Sequence, residues 1–307
     1  MKHLKKALKI SAITLAALLF LYAVAFSVIG TYLVYKGYRY VKQPFLDVEA
    51  LVSQNPSETS YMTLLRNQLR KAGKPDTLVH VFTPLDSISP YLKQTVIAAE
   101  DDGFYVHPGF DIEAILSAHE YNMRFKKIKR GGSTITQQLA KNLFLSNVKS
   151  FERKFKELAY TLLMEKYLGK DRILELYLNY AQWGPDLFGC EAASQRYFKK
   201  PCRKLTYHES VRMAATLVSP ERYSPLRENS TFLASRVQVI ANNLYLHHQI
   251  DDSGYKNLTG VLPPDSNAPT DASALQDDST GAGDSTDAEA VPPVPQFPAP
   301  SAPIQSP

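Results

Sequence analysis

Hydrophobic and polar positions divide the chain into three regimes. The first, Ile10 to Tyr35, is 26 consecutive positions without a charge. As a helix rising about 1.5 Å per residue it would extend about 39 Å, more than the hydrocarbon core of a bilayer requires. Lys2, Lys5, Lys6 and Lys9 precede it, and Lys36, Arg39 and Lys42 follow it. The slight excess in front favours a cytoplasmic N-terminus. Ala23-Val24-Ala25 resembles the cleavage site of a secretory signal, but the apolar run continues for ten residues beyond it, which such signals rarely do. Residues 1–9 therefore read as a basic cytoplasmic end and 10–35 as an uncleaved transmembrane anchor.

The second regime is polar, then helical. Residues 36–77 read as a connector with a short helix around Tyr61–Leu69. Leu78–Phe82 alternates like a short strand, and Pro84 and Pro90 punctuate the turn after it. Beyond that, apolar residues recur at the helical period. Phe151, Phe155, Leu158, Ala159 and Leu162 mark one apolar helix face, with Arg153 and Glu157 off it. Asp171 is placed to cap a helix carrying Ile173, Leu174, Tyr177 and Leu178, and His208–Leu217 and Phe232–Leu246 predict two more. Residues 78–250 are thus expected to form a single, mainly α domain.

The third regime has no folding signal. Residues 257–307 hold no Lys or Arg, seven acids and half of the 20 prolines. Such composition buries too little apolar surface to fold alone, so 251–307 is expected to be a disordered, Pro-rich acidic tail. The net charge of +5 becomes +12 once those seven acids are set aside. A body so basic favours an anionic partner: nucleic acid, an acidic lipid surface or a phosphorylated substrate. The anchor favours the last two and argues against nucleic acid. Cys190 and Cys202 are the two cysteines; they allow one disulfide in an oxidising compartment or two isolated thiols.

Three clusters carry candidate chemistry. Glu100-Asp101-Asp102-Gly103-Phe104-Tyr105-Val106-His107-Pro108-Gly109-Phe110-Asp111 follows an apolar helix. Acids at such an end stand at the mouth of a pocket, where partial burial raises proton affinity towards that of a general base; the plain alternative is a solvated helix end. Arg130-Gly131-Gly132-Ser133-Thr134-Ile135-Thr136-Gln137-Gln138-Leu139-Ala140-Lys141-Asn142 runs from a basic glycine-rich loop into a helix. Its exposed N–H groups suit an anion, or it is an ordinary capped start. Phe151-Glu152-Arg153-Lys154-Phe155-Lys156-Glu157 places Arg153 one turn before Glu157. Alone, that is a wet surface ion pair.

Together the clusters resemble, in order and spacing, the signature blocks of the family 51 glycosyltransferases, the peptidoglycan transglycosylases. Glu100–Asp111 looks like E-D-x-x-F-x-x-H-x-G, Gly131–Asn142 like G-G-S-T-x-T-Q-Q-x-x-K-N and Arg153–Glu157 like R-K-x-x-E. Lys170–Asn179 and Gly189–Phe198 are similar to the fourth and fifth blocks. Trp183-Gly184-Pro185-Asp186 departs from the family's glycine-rich run, and Lys199 stands where glycine is frequent. The resemblance covers about 80–245 and is nearest to the monofunctional branch. Ser146-Asn147-Val148-Lys149 fits the S-x-x-K pattern of penicillin-binding enzymes, but no K-T-G occurs.

The resemblance implies a lysozyme-like catalytic domain outside the bacterial inner membrane. Its donor would be a lipid-linked growing glycan and its acceptor lipid II, joined with inversion. Glu100 would be the base, and Glu157, across the cleft, would orient the basic groups or a divalent ion near the pyrophosphate. Lys141, Lys149, Arg153, Lys156 and Arg236 would neutralise the pyrophosphate, while Ser133, Thr134, Gln137 and Asn142 would shape the donor pocket. The family allows a divalent cation, Mg2+ or Mn2+, although the sequence holds no convincing metal-ligand set. Other cell-wall synthesis proteins are the further partners it suggests. The competing readings are a lytic transglycosylase or lysozyme-type hydrolase and a membrane-tethered cell-wall scaffold. A lysine-lined diphosphate site argues against the first, and the presence of both glutamates against the second.

Overall fold

A computed structural model describes residues 2–125, 132–146 and 150–264. It divides into two compact units, 1–54 and 55–307. The first is one helix, α1 (Lys2–Leu51), with Pro44 inside it. It is long and apolar enough to cross a membrane by length and composition. The expected connector does not begin at Lys36, because α1 continues through Leu51. Long polar side chains favour helix there: Arg39 donates to Gln43 at 3.1 Å, and Gln43 to Asp47 at 2.7 Å, each one turn apart.

The second unit is mainly helical. Helix α2 (Ser60–Lys71) is capped by Thr59, whose Oγ1 accepts from the Met62 N–H at 3.1 Å. It buries Met62 and Leu65 and packs on α5, so the latter part of the expected connector belongs to the domain. A small sheet has the order β1 (Val79–His80), β3 (Leu187–Phe188), β2 (Gln182–Gly184). β1 pairs parallel to β3 with Val79 opposite Leu187, and β2 pairs antiparallel to β3. Gly189 leaves β3 with φ +83, and a Cβ there would stand 2.9 Å from the Asn179 carbonyl.

The helices around this sheet are α3 (Pro90–Glu100), α4 (Ile112–Phe125), α5 (Ile135–Phe144), α6 (Phe151–Tyr167), α7 (Gly169–Tyr180), α8 (Cys190–Phe198), α9 (Tyr207–Thr216), α10 (Thr231–Leu246) and α11 (Asp252–Thr259). α3 packs on α9 and α10, while α5 packs on α2, α6 and α7. Leu92, Val96, Leu139, Met164, Ile173, Leu174, Val211 and Ile240 are essentially solvent-free. Burying each such side chain stabilises the fold by about 1.5–3 kcal/mol.

Three expectations change here. Asp171 is not a cap: α7 starts after Leu168 without a side-chain cap, and Asp171 lies in its first turn, accepting from the Tyr105 hydroxyl at 3.2 Å. On α6 the apolar face is turned outward, with Phe151 98% and Phe155 64% exposed, while Glu157 is 3% exposed. The fold also extends past residue 250. Asp251 caps α11 by accepting from the Gly254 N–H at 2.8 Å, and Gly260 ends it at φ +80. Tyr255 is buried against α10 and donates to Asn242 at 2.6 Å. Every acid counted in the tail lies at or beyond Asp265, so averaging over the segment hid this short capped helix. Residues 265–307 lie outside the described residues.

Candidate active site

Helix α3 begins with Pro90 at its first position and ends at Glu100, after which Asp101 turns the backbone at φ −168, ψ 74. This puts the Glu100 carboxylate at the helix end. Its Oε2 accepts from Gln138 Nε2 on α5 at 2.8 Å, and Gln138 Oε1 accepts from the Tyr177 hydroxyl on α7 at 3.2 Å. Three helices therefore converge on one carboxyl through one amide. Burial raises the proton affinity of Glu100, the Gln138 bond and the charge of Arg236 oppose it, and Asp101 adds to the rise. Burial, with the charges of Glu100 and Asp101, holds the Tyr177 phenol well above its ordinary value, so it stays a donor.

Asp101 ties this loop to α5. Its Oδ1 meets His107 Nε2 at 2.7 Å and its Oδ2 accepts from the Ile135 N–H at 2.9 Å. His107 Nδ1 accepts from the Gly109 N–H at 3.1 Å, so Nε2 carries the proton donated to Asp101. Thr134 caps α5 in a capping box with Gln137, and its hydroxyl also donates to the Gly109 carbonyl at 2.6 Å. Behind these, Glu165 Oε1 accepts from Thr136 at 2.6 Å and from Lys170 at 2.8 Å. Gly109 sits at φ +93 with space for no Cβ, which would come 2.6 Å from Glu165 Cγ.

The basic groups gather on the other side of Lys141. That ammonium is half-buried; burial lowers its proton affinity, and Glu157 first and Glu100 more weakly hold it up. It thus feels both glutamates. Glu157 accepts from Arg153 Nη1 at 2.8 Å and from the Lys154 ammonium. Arg153 Nε is buried with no partner among the described residues. Arg236 reaches from α10 to the end of α3, donating to the Ala99 carbonyl at 3.2 Å, and its Nε is likewise unpartnered there. A cation beside the terminal carbonyls suits the helix dipole.

The structure brings together Glu100, Lys141, Arg153, Glu157 and Arg236. Thr134 and Gln137 are turned to capping α5, their polar atoms bonded within the protein. Ser133 is exposed at the helix entry, and Asn142 is half-buried beside Lys141. Lys156 is half-buried on α6 and paired with Glu152 at 2.9 Å, Glu152 being 65% exposed. Lys149 and Arg130 lie outside the described residues. Sequence reading overlooked Gln138 as the link to Glu100, and counted Tyr177 as merely apolar. The signal for Gln138 was its place one turn before Lys141 on the same helix. Among the described residues no three His, Cys, Asp or Glu side chains cluster as a metal site. Both oxygens of Glu157 are already met by cations, so the donor set does not fit a divalent ion there.

The transglycosylase family profile matches residues 67–245, which spans α3 through α10 and so holds every residue of this cleft. The chain is similar to relatives that bear the name biosynthetic peptidoglycan transglycosylase. One from Aromatoleum aromaticum is 49% identical over 170 residues, covering 55% of this chain and 74% of the relative. One from Ralstonia nicotianae is 43% identical over 194 residues, covering 62% and 83%. One from Herminiimonas arsenicoxydans is 39% identical over 200 residues, covering 65% and 86%. A helical domain whose helix-end carboxylate faces a cluster of cations belongs, in this chain, to the transglycosylase family.

Proposed function

We propose that this chain is a peptidoglycan glycosyltransferase of cell-wall synthesis that extends a lipid-linked glycan by one lipid II disaccharide per turnover. The relatives named above and the single transglycosylase match support a peptidoglycan glycosyltransferase. Lipid II as acceptor and the assignment of residues are our reading of the cleft. The observation that carries it is Glu100, a carboxyl made more basic by burial and held by a neutral amide rather than by a cation. Such a group is suited to accept a proton.

In this reading the acceptor's GlcNAc 4-hydroxyl attacks the anomeric carbon of the donor sugar. The new C–O bond forms on one face as the bond to the pyrophosphate oxygen breaks on the other. The hydroxyl proton passes to Glu100, and the bonding pair leaves with the polyprenyl pyrophosphate. Inversion follows from the opposed faces. Lys141 and Arg153 stabilise the departing charge, with Glu157 holding Arg153 in place. Their positive charge matches the leaving anion better than the esterified ground state.

A lipid substrate also explains the exposed apolar side chains. Ile112, Ile115, Leu116 and Met123 on α4, and Phe151, Phe155 and Leu162 on α6, stand in solvent. Exposed apolar surface of that extent marks an interaction face. We infer that it meets the outer leaflet of the inner membrane, with α1 as the anchor and the catalytic unit outside the cytoplasm. The test is the full chain in detergent with labelled lipid II and, separately, finished peptidoglycan. Glycan polymer from the first and no fragments from the second are expected. Fragments without polymer would make it a hydrolase, and neither product would leave a scaffold.

A further inference from the structure

Cys190 opens α8, directly after Gly189, and Cys202 opens a short 3-10 turn (Cys202–Lys204) twelve residues on. Both are fully buried, and their Sγ atoms lie 3.7 Å apart. The backbone around them is held independently of the sulfurs. The Cys202 N–H donates to Glu191 Oε2 at 2.8 Å, Ser194 Oγ donates to the Lys200 carbonyl at 2.7 Å, and Lys199 ends α8 in the left-handed region at φ 57. The two thiols are therefore brought into contact by the fold. A disulfide needs about 2.0 Å between sulfurs, so the two would approach further on oxidation.

We propose that Cys190 and Cys202 form an intrachain disulfide in the mature protein. It rests on the inference that the catalytic unit lies outside the cytoplasm, where such bonds persist. Oxidation joins the two sulfurs and releases two protons and two electrons. The electrons pass to a dithiol–disulfide exchange protein, whose own disulfide is reduced to two thiols. With only two cysteines in 307 residues, no wrong intrachain pairing competes. Neither sulfur is accessible in the folded domain, and the contact with Cys190, together with burial, holds the Cys202 thiol protonated. Thiolate attack thus needs an open chain, so the bond closes during folding after export.

The cross-link lies under the catalytic helix. The Cys202 thiol contacts the Ser87 carbonyl at 3.7 Å, and Ser89 at the start of α3 donates from Oγ to the Leu205 carbonyl at 3.1 Å. Fixing the 3-10 turn to α8 consequently braces the end of α3 opposite Glu100. It would restrict the unfolded chain by a short loop, a gain that for this size of domain corresponds to roughly 5–10 °C in Tm.

The experiment uses full-length protein extracted from membranes under acid quench, denatured, and treated with a mass-tagged maleimide with and without prior reduction. A reporter fused after residue 264 fixes the side of the membrane in parallel. The proposal expects no tag before reduction and two tags after it. It also expects a Tm lowered by roughly 5–10 °C on reduction, and no such change in Cys190→Ala/Cys202→Ala. Each single variant should take one tag without reduction. Two tags on unreduced protein with an exported reporter would overturn the disulfide. A cytoplasmic reporter would overturn the topology, whatever the thiol count. A disulfide-linked dimer on a non-reducing gel would also overturn the intrachain bond.

Discussion

Helices α5 and α6 pack against each other, yet they sort their side chains by opposite rules. α5 buries Ile135, Leu139, Ala140 and Leu143 and leaves Gln138 and Lys141 half-buried at the cleft. α6 turns Phe151, Phe155 and Leu162 outward and buries Glu157, Tyr160, Thr161 and Met164. The contact between them is made by the second set: the Tyr160 ring stacks on Phe144 at 4.3 Å. An apolar stripe moves to the least polar surroundings available. For α5 those are the domain interior. For α6, under the membrane contact proposed above, the lipid surface would compete for the stripe, and Glu157 can be buried beside Tyr160 and Met164 because its charge is paired.

The largest test falls on the α5 side. Glu100→Gln should lower lipid II polymerisation by at least about 10²–10⁴-fold, because an amide accepts no proton. Its fold should survive. Burial raises this carboxyl, so the folded state favours the neutral form; the stability that form contributes is present at low pH and is lost as pH rises through the folded value. The glutamine variant should therefore melt at or above the wild-type temperature at neutral pH, with the difference vanishing in acid. A clear drop in Tm at neutral pH would mean that ionised Glu100 supports the fold. The raised value also moves the acid limb of the activity profile above the ordinary glutamate range. A limb at the ordinary value would place another group as base.

On the α6 side, Glu157→Gln should act through the fold as well as through activity. It leaves half-buried Arg153 without its anion, a loss of about 1–3 kcal/mol after allowing for the exposure of Lys154. Denaturant unfolding checks this, and an unchanged midpoint would return the pair to an ordinary surface bridge. Gly109→Ala should cost about 1–3 kcal/mol, since φ +93 strains any side chain and its Cβ meets Glu165 and Thr161. The smallest stability effect belongs to Phe151→Ser with Phe155→Ser. If these rings face lipid, the midpoint should move by no more than about 0.5 kcal/mol, while binding of the chain lacking α1 to anionic vesicles falls. A loss of several kcal/mol would place them in a core.

Much of the helical framework was legible because it depends on local signals. The capped start that the glycine-rich loop allowed is a capping box, Thr134 with Gln137. The Tyr61 helix and the two late helices follow their apolar period. The orientation of α6 was not legible, because periodicity reveals that a stripe exists and not what it faces. Asp171 had the chemistry of a cap but followed α6 too closely for a new entry turn: only Leu168 separates the helices. Glu100, Lys141 and Glu157 were legible as a set through the family blocks. The Gln138 bridge was not, since its two partners lie 38 and 39 residues away on other helices.

The outward stripe of α6 also decides how the enzyme behaves once taken out of its cell. Cutting away α1 would remove the most hydrophobic segment and still leave Phe151, Phe155 and Leu162 on α6, and Ile112, Ile115, Leu116 and Met123 on α4, bare. Such a fragment would act as its own surfactant. Without added micelles those faces would find each other, and the preparation would become turbid as its concentration rises. Swapping the rings for serine would be the more effective route to a clear solution than any shortening of the chain.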